Sequence, residues 1–387
     1  MSDEFEDKKS KLSKKQTSAL KEKYHDPKNI GASRRAVLTK ISKDHGAEAL
    51  GVIKNKVFIR TSSIRLNWIL GGGICLGRIS ELAGKYSSGK TTLSFDMIAN
   101  AQRQFPDKYC FFIDAEQSFD PTWAAKFGVD IDRLDVFDPP NTQAAFDEVR
   151  ALMMSGAYSL GVVDSVAALI SAEELLTDTA GAKDRMGASA GAISIGLKKL
   201  IRPAKQSQTA LVLLNQVRDN LNPFSGGKVL IPGGNALKHY CSVRMQVKVV
   251  NGSEEKDEND DACGHTIEVY AEKNKIGFPH RRAQMQLSFT KAFDTAGELF
   301  AVAKEHDIIQ RKDKKYWFRG KVVCESQDEF KAMLRKKYEF RQKIYDAVDK
   351  QVMKDQKVSV KAEFEEIAKD APRDVDETKL SSLEDEI

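Results

Sequence analysis

Residues 84–92 read Gly-Lys-Tyr-Ser-Ser-Gly-Lys-Thr-Thr and match the pattern G-x-x-x-x-G-K-[ST] in full. The apolar run Ile79–Ala83 precedes this stretch and a helix-patterned run, Thr92–Gln102, follows it, so the chain has a strand, a glycine-rich loop and a helix in succession. Glycines at both ends of the loop allow backbone N–H groups to turn towards an anion, and the helix presents its positive end to it. The stretch therefore predicts a phosphate-binding loop.

We predict that this loop binds ATP with Mg²⁺. Lys90 is expected to reach the β- and γ-phosphates, and the Thr91 hydroxyl is expected to hold the metal ion. The alternative is a chance glycine-rich turn before a helix, against which the complete match in the right context argues. The predicted ATP contacts are Gly84, Lys85, Tyr86, Ser87, Ser88, Gly89, Lys90, Thr91 and Thr92.

Composition bounds the class of protein. The 387 residues are 41% apolar and 30% charged, which leaves room for one core of ~200–250 residues and smaller flanking domains. The sequence has no apolar run long enough for a membrane span and no signal-peptide pattern at its charged N-terminus, so we expect a cytoplasmic protein without a membrane partner. The five cysteines are widely spaced and lack a C-x-x-C, which argues against disulfides and zinc.

Charge is distributed unevenly along the chain. Residues 8–43 hold twelve Lys/Arg against two acidic residues, and residues 311–321 hold six against one. The tail 370–387 holds seven acidic residues against two basic ones. This segregation is typical of a protein that binds a polyanion and carries an acidic tail that competes for the same basic surface, although ordinary solvated faces remain an alternative.

The order of apolar and amphipathic runs predicts an α/β fold. Short apolar runs alternate with helical patterns from Arg60 onward, which favours a mostly parallel sheet, and antiparallel hairpins are expected after Val243. The ligand should then lie at the carboxyl ends of the strands. Predicted strands are 79–83, 109–114, 134–137, 160–164, 210–215, 243–249, 267–272 and 285–289; predicted helices are 33–50, 92–104, 121–127, 142–155, 190–205 and, in the C-terminal region, 325–354.

Five regions follow from these patterns. They are a basic flexible extension (1–32), a helical segment for oligomerisation that could equally pack on its own core (33–59), the ATPase core (60–292), a small α+β domain (293–369) and an acidic disordered tail (370–387). In the small domain, residues 311–321 interleave three aromatic residues with six cations, a composition suited to gathering duplex DNA.

Three strand ends carry polar residues suited to triphosphate hydrolysis. Asp164 ends an apolar strand and is expected to support Mg²⁺ through water and Thr91. Glu116 follows another strand and is our candidate for the base that orients the attacking water, with an exposed loop glutamate as the alternative. Gln216 ends a third strand, where its amide suits a sensor of the γ-phosphate.

These residues stand in runs that resemble the RecA-type recombinases from about Thr61 to Phe293. Beside the phosphate loop, the runs are Phe-Ile-Asp-Ala-Glu (112–116), Val-Val-Asp-Ser-Val-Ala-Ala-Leu (162–169), Asn-Gln-Val-Arg (215–218), Gly-Gly-Asn-Ala-Leu-Lys (233–238) and Lys-Asn-Lys-Ile (273–276). The resemblance implies a RecA-like P-loop ATPase core and an ATP-dependent DNA strand-exchange protein. Such a protein would polymerise on single-stranded DNA as a helical filament, pair it with duplex DNA, and act in recombination and repair, with single-strand-binding and mediator proteins as further partners.

The resemblance also implies roles for individual residues. Lys273 and Lys275 look like charges that reach the γ-phosphate of a neighbouring subunit, and with Lys90, Glu116 and Gln216 they form the catalytic set. Asp120 and Trp123 match the turn that contacts adenine, although a tryptophan covering the core is the alternative. Residues 177–189 and 217–232 resemble the two DNA-binding loops, although bare sequence would allow ordinary surface loops. The implied DNA contacts are Lys183, Arg185, Met186, Gly187, Lys198, Arg218, Phe224, Gly233, Gly234 and Asn235.

The chain departs from the family pattern at several positions. Lys85 and Tyr86 replace a Pro-Glu pair, Gly191 stands where a DNA-contacting arginine is common, and His239 replaces a usual phenylalanine. These changes and the basic N-terminus fit a diverged or phage-encoded member. Two alternative functions remain: a ring-forming helicase-type motor, and a non-motor mediator of recombination.

Overall fold

The computed structural model describes residues 30–45, 56–172, 188–217, 234–290, 292–337 and 339–352. The predicted acidic tail lies outside this part of the chain, as do most of the basic extension and of the two predicted DNA loops. None of the helices in the described part is long and apolar enough to cross a membrane.

The described helices, in chain order, are α1 (Ile30–His45), α2 (Ile64–Leu70), α3 (Lys90–Gln104), α4 (Pro121–Lys126), α5 (Thr142–Ser155), α6 (Ala188–Ser207), α7 (Gly234–Tyr240), α8 (Thr295–Glu305), α9 (Gln327–Lys336) and α10 (339–352). The described strands are β1 (Phe58–Ile59), β2 (Ile74–Cys75), β3 (Ile79–Gly84), β4 (Tyr109–Asp114), β5 (Leu134–Phe137), β6 (Tyr158–Asp164), β7 (Ala210–Gln216), β8 (Val243–Val249), β9 (Glu255–Lys256), β10 (Ala262–Asn274), β11 (Arg281–Ser288), β12 (Ala292–Phe293), β13 (Ile309–Lys312), β14 (Lys315–Phe318) and β15 (Lys321–Cys324). Helix α1 belongs to a separate unit, Met1–Lys56.

A ten-stranded sheet forms the centre of the molecule. Its order is β12-β11-β10-β8-β3-β7-β6-β4-β5, with β9 paired to β10. The strands from β8 to β5 are parallel, whereas β8–β10, β10–β11 and β11–β12 are antiparallel pairs. The predicted α/β class, with a mostly parallel sheet and antiparallel hairpins, is confirmed.

The central strands are buried on both faces, which is why they read as continuous apolar runs. Phe112 joins the apolar cluster that includes Leu93 and Met97 of α3, whereas its neighbour Phe111 joins the cluster that includes Phe146 of α5 and residues of α6. Successive residues of a strand point to opposite faces, so helices cover both sides of the sheet.

Most predicted elements lie within two residues of those observed, and β4, β5, β8 and α5 have the predicted bounds. Strand β10 is longer than the predicted 267–272 and β11 begins at Arg281 instead of 285. The ends of β10 carry polar residues such as His265, Glu272 and Lys273, and β11 carries polar residues on alternate, exposed positions such as Arg282 and Gln284; both features hide a strand's ends from a search for apolar runs. Helix α1 is observed over Ile30–His45, and the remainder of the predicted helix 33–50 lies outside the described residues.

The single C-terminal helix predicted over 325–354 is wrong. Lys337 takes an extended conformation that ends α9, and α10 begins beyond it. Phe330 of α9 and Ile344 and Val348 of α10 join one small apolar cluster with α8 and β14. A straight helix of thirty residues would be ~45 Å long and would carry part of this apolar surface away from the cluster. The four predicted boundaries between the five regions remain predictions.

Candidate nucleotide site

The phosphate loop connects β3 to α3 and has the backbone that its glycines predict. Gly89 has a φ of +86°, in the left-handed region, and caps α3. A Cβ at Gly84 would meet the Ser88 side chain and the carbonyl oxygen of Val247, so only glycine leaves this space open. The Ser88 hydroxyl is buried and has no hydrogen-bond partner among the described residues. An open cradle beside an unsatisfied polar group fits a phosphate.

Lys90 turns back into this loop. Its Nζ donates to the carbonyl oxygens of Lys85 at 2.8 Å and Gly84 at 3.2 Å. Burial lowers the pKa of Lys90, while the nearby carboxylates of Asp164 and Glu116 oppose that effect. The loop thus holds one partly desolvated cation at its centre. The Lys85 and Tyr86 side chains, which depart from the family pattern, are exposed.

Gln216, Asp114 and Asp164 come together with the start of the phosphate loop because four neighbouring parallel strands end at the same edge of the sheet. The β3–β7 register places Gly84 opposite Gln216, and the β4–β6 register places Asp114 opposite Asp164. The backbone also joins these ends, since Val217 N donates to Gly84 O at 3.0 Å. Parallel strands converge in this way at the edge where ligands bind.

The Thr91 hydroxyl donates to Asp164 Oδ2 at 2.7 Å. Burial raises the pKa of Asp164 to about 6; the Thr91 bond and Lys90 lower it, whereas Glu116 and Asp114 add to the rise. One hydroxyl beside one carboxylate suits Mg²⁺, which keeps several of its water ligands. The described residues include no group of three or more His, Cys, Asp or Glu that would enclose a metal ion.

Glu116 lies beside Asp164 and is held by three hydrogen bonds. Its backbone N–H donates to Asp164 O at 3.1 Å. Its carboxylate oxygen Oε1 accepts from Gln216 Nε2 at 2.6 Å and from Ser165 Oγ at 2.5 Å. The structure therefore brings together the predicted base and the predicted sensor. Sequence reasoning assigned no role to Ser165, although its place directly after Asp164 was the available signal.

A buried polar network lies below this edge. Glu81 is fully buried and accepts from Asn215 Nδ2 at 2.9 Å and from Arg244 Nε at 2.5 Å. Arg244, itself 4% exposed, also contacts Glu272 at 3.2 Å. The network ties β3, β7, β8 and β10 together, and sequence reasoning did not find it because its members are far apart in the chain.

Lys273 and Lys275 do not lie at the phosphate edge. In the sheet register Lys273 is opposite Arg244, which is opposite Glu81, three residues before Gly84. Lys273 is therefore ~10 Å from the level of the loop along the strands and two strands to the side. Its Nζ donates to Lys238 O at 2.5 Å, and burial, followed by the charge of Lys275, lowers its pKa. The structure does not bring these lysines to the loop of their own subunit.

The described contacts of the predicted adenine turn are local. Asp120 caps α4 by accepting from the backbone N–H groups of Thr122 and Trp123. Trp123 packs against the core and against Phe127, and Lys126 Nζ lies 5.0 Å from its ring centroid. These contacts fit the alternative interpretation, in which the tryptophan covers the core. They leave the ring partly exposed.

The predicted DNA contacts lie largely outside the described residues. Those outside are Lys183, Arg185, Met186, Gly187, Arg218, Phe224 and Gly233. Gly234 begins α7, where Asn235 is exposed, and Lys198 is exposed on α6. Gly191 is on α6 too, and a Cβ there would meet nothing within 4 Å.

The sequence also matches the model of a known protein family. The model of the RecA N-terminal domain matches residues 33–294, about two thirds of the chain. Members of this family are DNA-dependent ATPases that bind ATP and DNA, self-associate and act in recombination. With a phosphate loop on a mostly parallel sheet and a match of this extent, the chain belongs to the RecA family.

Proposed function

We propose that this protein is an ATP-dependent homologous recombinase. It would polymerise on single-stranded DNA, pair that strand with a homologous duplex and exchange strands, with DNA-stimulated hydrolysis of ATP. The observation that carries the proposal is the contact between Glu116 and Gln216 beside the phosphate loop, because it joins a base to a nucleotide sensor at one strand edge. The proposal accounts for the family match and for the chain's basic segments.

Each described residue at this edge of the sheet would have its own role in binding or hydrolysing the nucleotide. Lys90 would exchange its two loop carbonyls for phosphate oxygens, and the backbone around Gly89 would donate to them. Thr91 and Asp164 would hold Mg²⁺, which, when bound, neutralises charge on the phosphates. Glu116 would accept a proton from the attacking water through the oxygen Oε2, since Oε1 already has two donors.

Gln216 would report the state of the nucleotide. The residue is 9% exposed and its amide is bonded to Glu116; in the presence of ATP the amide would turn to the γ-phosphate. Gln216 directly precedes the segment 217–232, one of the two predicted DNA loops. A change of partner at Gln216 would therefore move the first residue of that loop.

The place of Lys273 supports a site shared between subunits. A lysine ~10 Å from the level of its own phosphate loop along the strands, and two strands aside, is badly placed to act there. A head-to-tail assembly would instead present it to the loop of the next subunit, and a repeat that does not close gives a helical filament. This arrangement would make hydrolysis depend on assembly.

The hairpin β13–β14 would gather duplex DNA. Tyr316 is buried in the small apolar cluster, whereas Arg311 and Arg319 lie 5.7 and 5.1 Å from the ring centroids of Tyr316 and Phe318. The aromatic rings thus pack beneath exposed cations, and such cations are suited to contacts with phosphates.

The test compares wild type with Lys90→Ala in ATP hydrolysis with and without single-stranded DNA, followed by strand exchange between homologous DNAs. We expect DNA-stimulated hydrolysis and strand exchange from wild type and neither from Lys90→Ala. Lys108→Ala, at the amino end of β4 and so at the opposite edge of the sheet, is the matched control and should behave as wild type.

Unwinding of a duplex without strand exchange would support the helicase-type motor instead. DNA binding without turnover by the wild type would support the mediator. Either result would contradict the recombinase proposal.

A further inference from the structure

We infer that Ser165 is a positioning residue that keeps Glu116 in place when Gln216 turns to the nucleotide; this rests on the proposed function. The observation is that Ser165 Oγ and Gln216 Nε2 donate to the same oxygen of Glu116, at 2.5 and 2.6 Å. If Gln216 leaves to contact a phosphate, Ser165 becomes the remaining described side-chain donor to that oxygen.

Ser165 is suited to this task because it is buried and the backbone that follows it is held by hydrogen bonds. It is fully buried at the end of β6. The next residue, Val166, donates its N–H to Leu214 O of the neighbouring strand at 2.9 Å, and Ser165 O accepts from Ala168 N at 3.0 Å. The hydroxyl therefore has little freedom to follow a moving partner, so a carboxylate bonded to it stays where it is.

Gln216 has a different environment. Its side chain ends β7 next to a segment that leads into a predicted DNA loop, and its amide can change partner without a change in charge. One donor to Glu116 is thus rigid and the other is able to switch. With only the switching donor, Glu116 would lose its orientation at the moment when it is needed as a base.

The hydrogen bonds to Glu116 leave its oxygen Oε2 for the attacking water. Both side-chain donors occupy Oε1, and no described residue donates to Oε2. A hydrogen bond from Ser165 fixes the direction of the carboxylate, and a general base must lie within ~2.6–3.2 Å of the proton donor to act. Ser165 would therefore affect the rate of hydrolysis and not the binding of ATP.

The test measures DNA-stimulated ATP hydrolysis for Ser165→Ala, Ser165→Thr, Glu116→Gln and the double variant Glu116→Gln/Ser165→Ala. We expect Ser165→Ala to lower kcat by about 10- to 100-fold, the range for loss of one hydrogen bond to a charged group, with KM for ATP and nucleotide-dependent DNA binding unchanged. Ser165→Thr keeps the hydroxyl and should recover most of the rate.

The double variant separates positioning from general damage. If Ser165 acts only through Glu116, Ser165→Ala should change the residual rate of Glu116→Gln by less than ~2-fold, because the two effects are not additive. Ser159→Ala is the matched control: Ser159 is equally buried on β6 but lies near its amino end, beside Tyr109 and Cys110. It should hydrolyse ATP as wild type does.

Three outcomes would overturn the inference, and they differ in what else they overturn. A wild-type rate in Ser165→Ala beside a slow Glu116→Gln, or an equal loss from Ser165→Ala in both backgrounds, would overturn the role of Ser165 alone. A wild-type rate in Glu116→Gln would overturn the assignment of the base itself, and with it the ground for Ser165.

Discussion

Glu298 joins helix α8 to the start of helix α2 through a carboxylate that is costly to ionise. It is on α8, and its Oε1 accepts from Ser63 Oγ at 2.7 Å and from the backbone N–H of Arg65 at 2.8 Å, both at the start of α2. Burial raises the pKa of Glu298 from 4.5 to about 7; the two hydrogen bonds and the Arg65 charge lower it, and the Asp96 carboxylate adds to the rise.

The sign of the pH dependence follows from this rise. Between pH 4.5 and 7 the folded protein keeps a proton on Glu298 that the unfolded chain has released. The free energy of unfolding therefore falls as pH rises through this window. The full difference corresponds to ~3 kcal/mol, and because part of the side chain reaches solvent we expect ~1–2 kcal/mol.

The perturbation is Glu298→Gln, which keeps an acceptor for Ser63 and Arg65 and cannot ionise. We expect the variant to equal wild type within ~0.5 kcal/mol at pH 5 and to exceed it by ~1–2 kcal/mol at pH 8. The assay is urea unfolding followed by tryptophan fluorescence at constant ionic strength; Trp68 lies on α2, next to this contact.

The control is Glu305→Gln, on the same helix, whose side chain is about half exposed and pairs with Arg65. Its difference from wild type should be small, because an exposed ion pair contributes little. The reasoning is refuted if the difference between Glu298→Gln and wild type is the same at both pH values, or if wild type gains stability between pH 5 and 8 relative to the variant.

Three further predictions concern the buried network, the shared site and the DNA contact. Arg244→Met should lower the free energy of unfolding by ~3 kcal/mol or more, because it leaves Glu81 buried without a cationic partner among the described residues; urea unfolding measures this. Lys90→Ala and Lys273→Ala should each be inactive alone, but an equal mixture should recover about a quarter of the wild-type ATPase rate, since random head-to-tail assembly restores that share of sites. Gly191→Arg should tighten binding to single-stranded DNA and steepen its salt dependence by about one counterion, measured by fluorescence anisotropy; the open space at Gly191 admits the side chain.

Each of these predictions has a control or a contrary result. Arg282→Met removes an exposed partner of Glu268, which keeps Lys248, and should cost less than ~1 kcal/mol. A mixture of Lys90→Ala and Lys273→Ala that stays inactive would argue against a site shared between subunits. Met154→Arg adds the same charge to an exposed position of α5, and equal tightening there would show a nonspecific effect in place of a contact at Gly191.

The fold was largely predictable because its central strands are local apolar runs. A strand such as β4 could be delimited from the chain alone, since burial on both faces requires nearly every residue to be apolar or bonded. The strand order was not predictable: the place of β3 between β7 and β8 depends on pairing between segments more than 100 residues apart. The break at Lys337 depends on the shape of the small apolar cluster, which no local pattern encodes.

The candidate site likewise contains residues that local sequence predicts and contacts that only the tertiary fold creates. Lys90, Thr91 and Asp164 follow from a loop motif and an adjacent strand end, because their spacing reflects local geometry. The bond from Ser165 to Glu116 spans 49 residues and the bond from Ser63 to Glu298 spans 235, so both depend on the tertiary fold. The place of Lys273 away from its own loop is likewise a consequence of sheet register.

Assembly on DNA is the property from which the rest of the proposed function follows. Electron microscopy of the full chain on long single-stranded DNA, with and without a slowly hydrolysed ATP analogue, would observe it. The proposed function predicts continuous helical filaments that require the nucleotide. Discrete rings, or no ordered assembly by folded protein that binds the nucleotide, would contradict it.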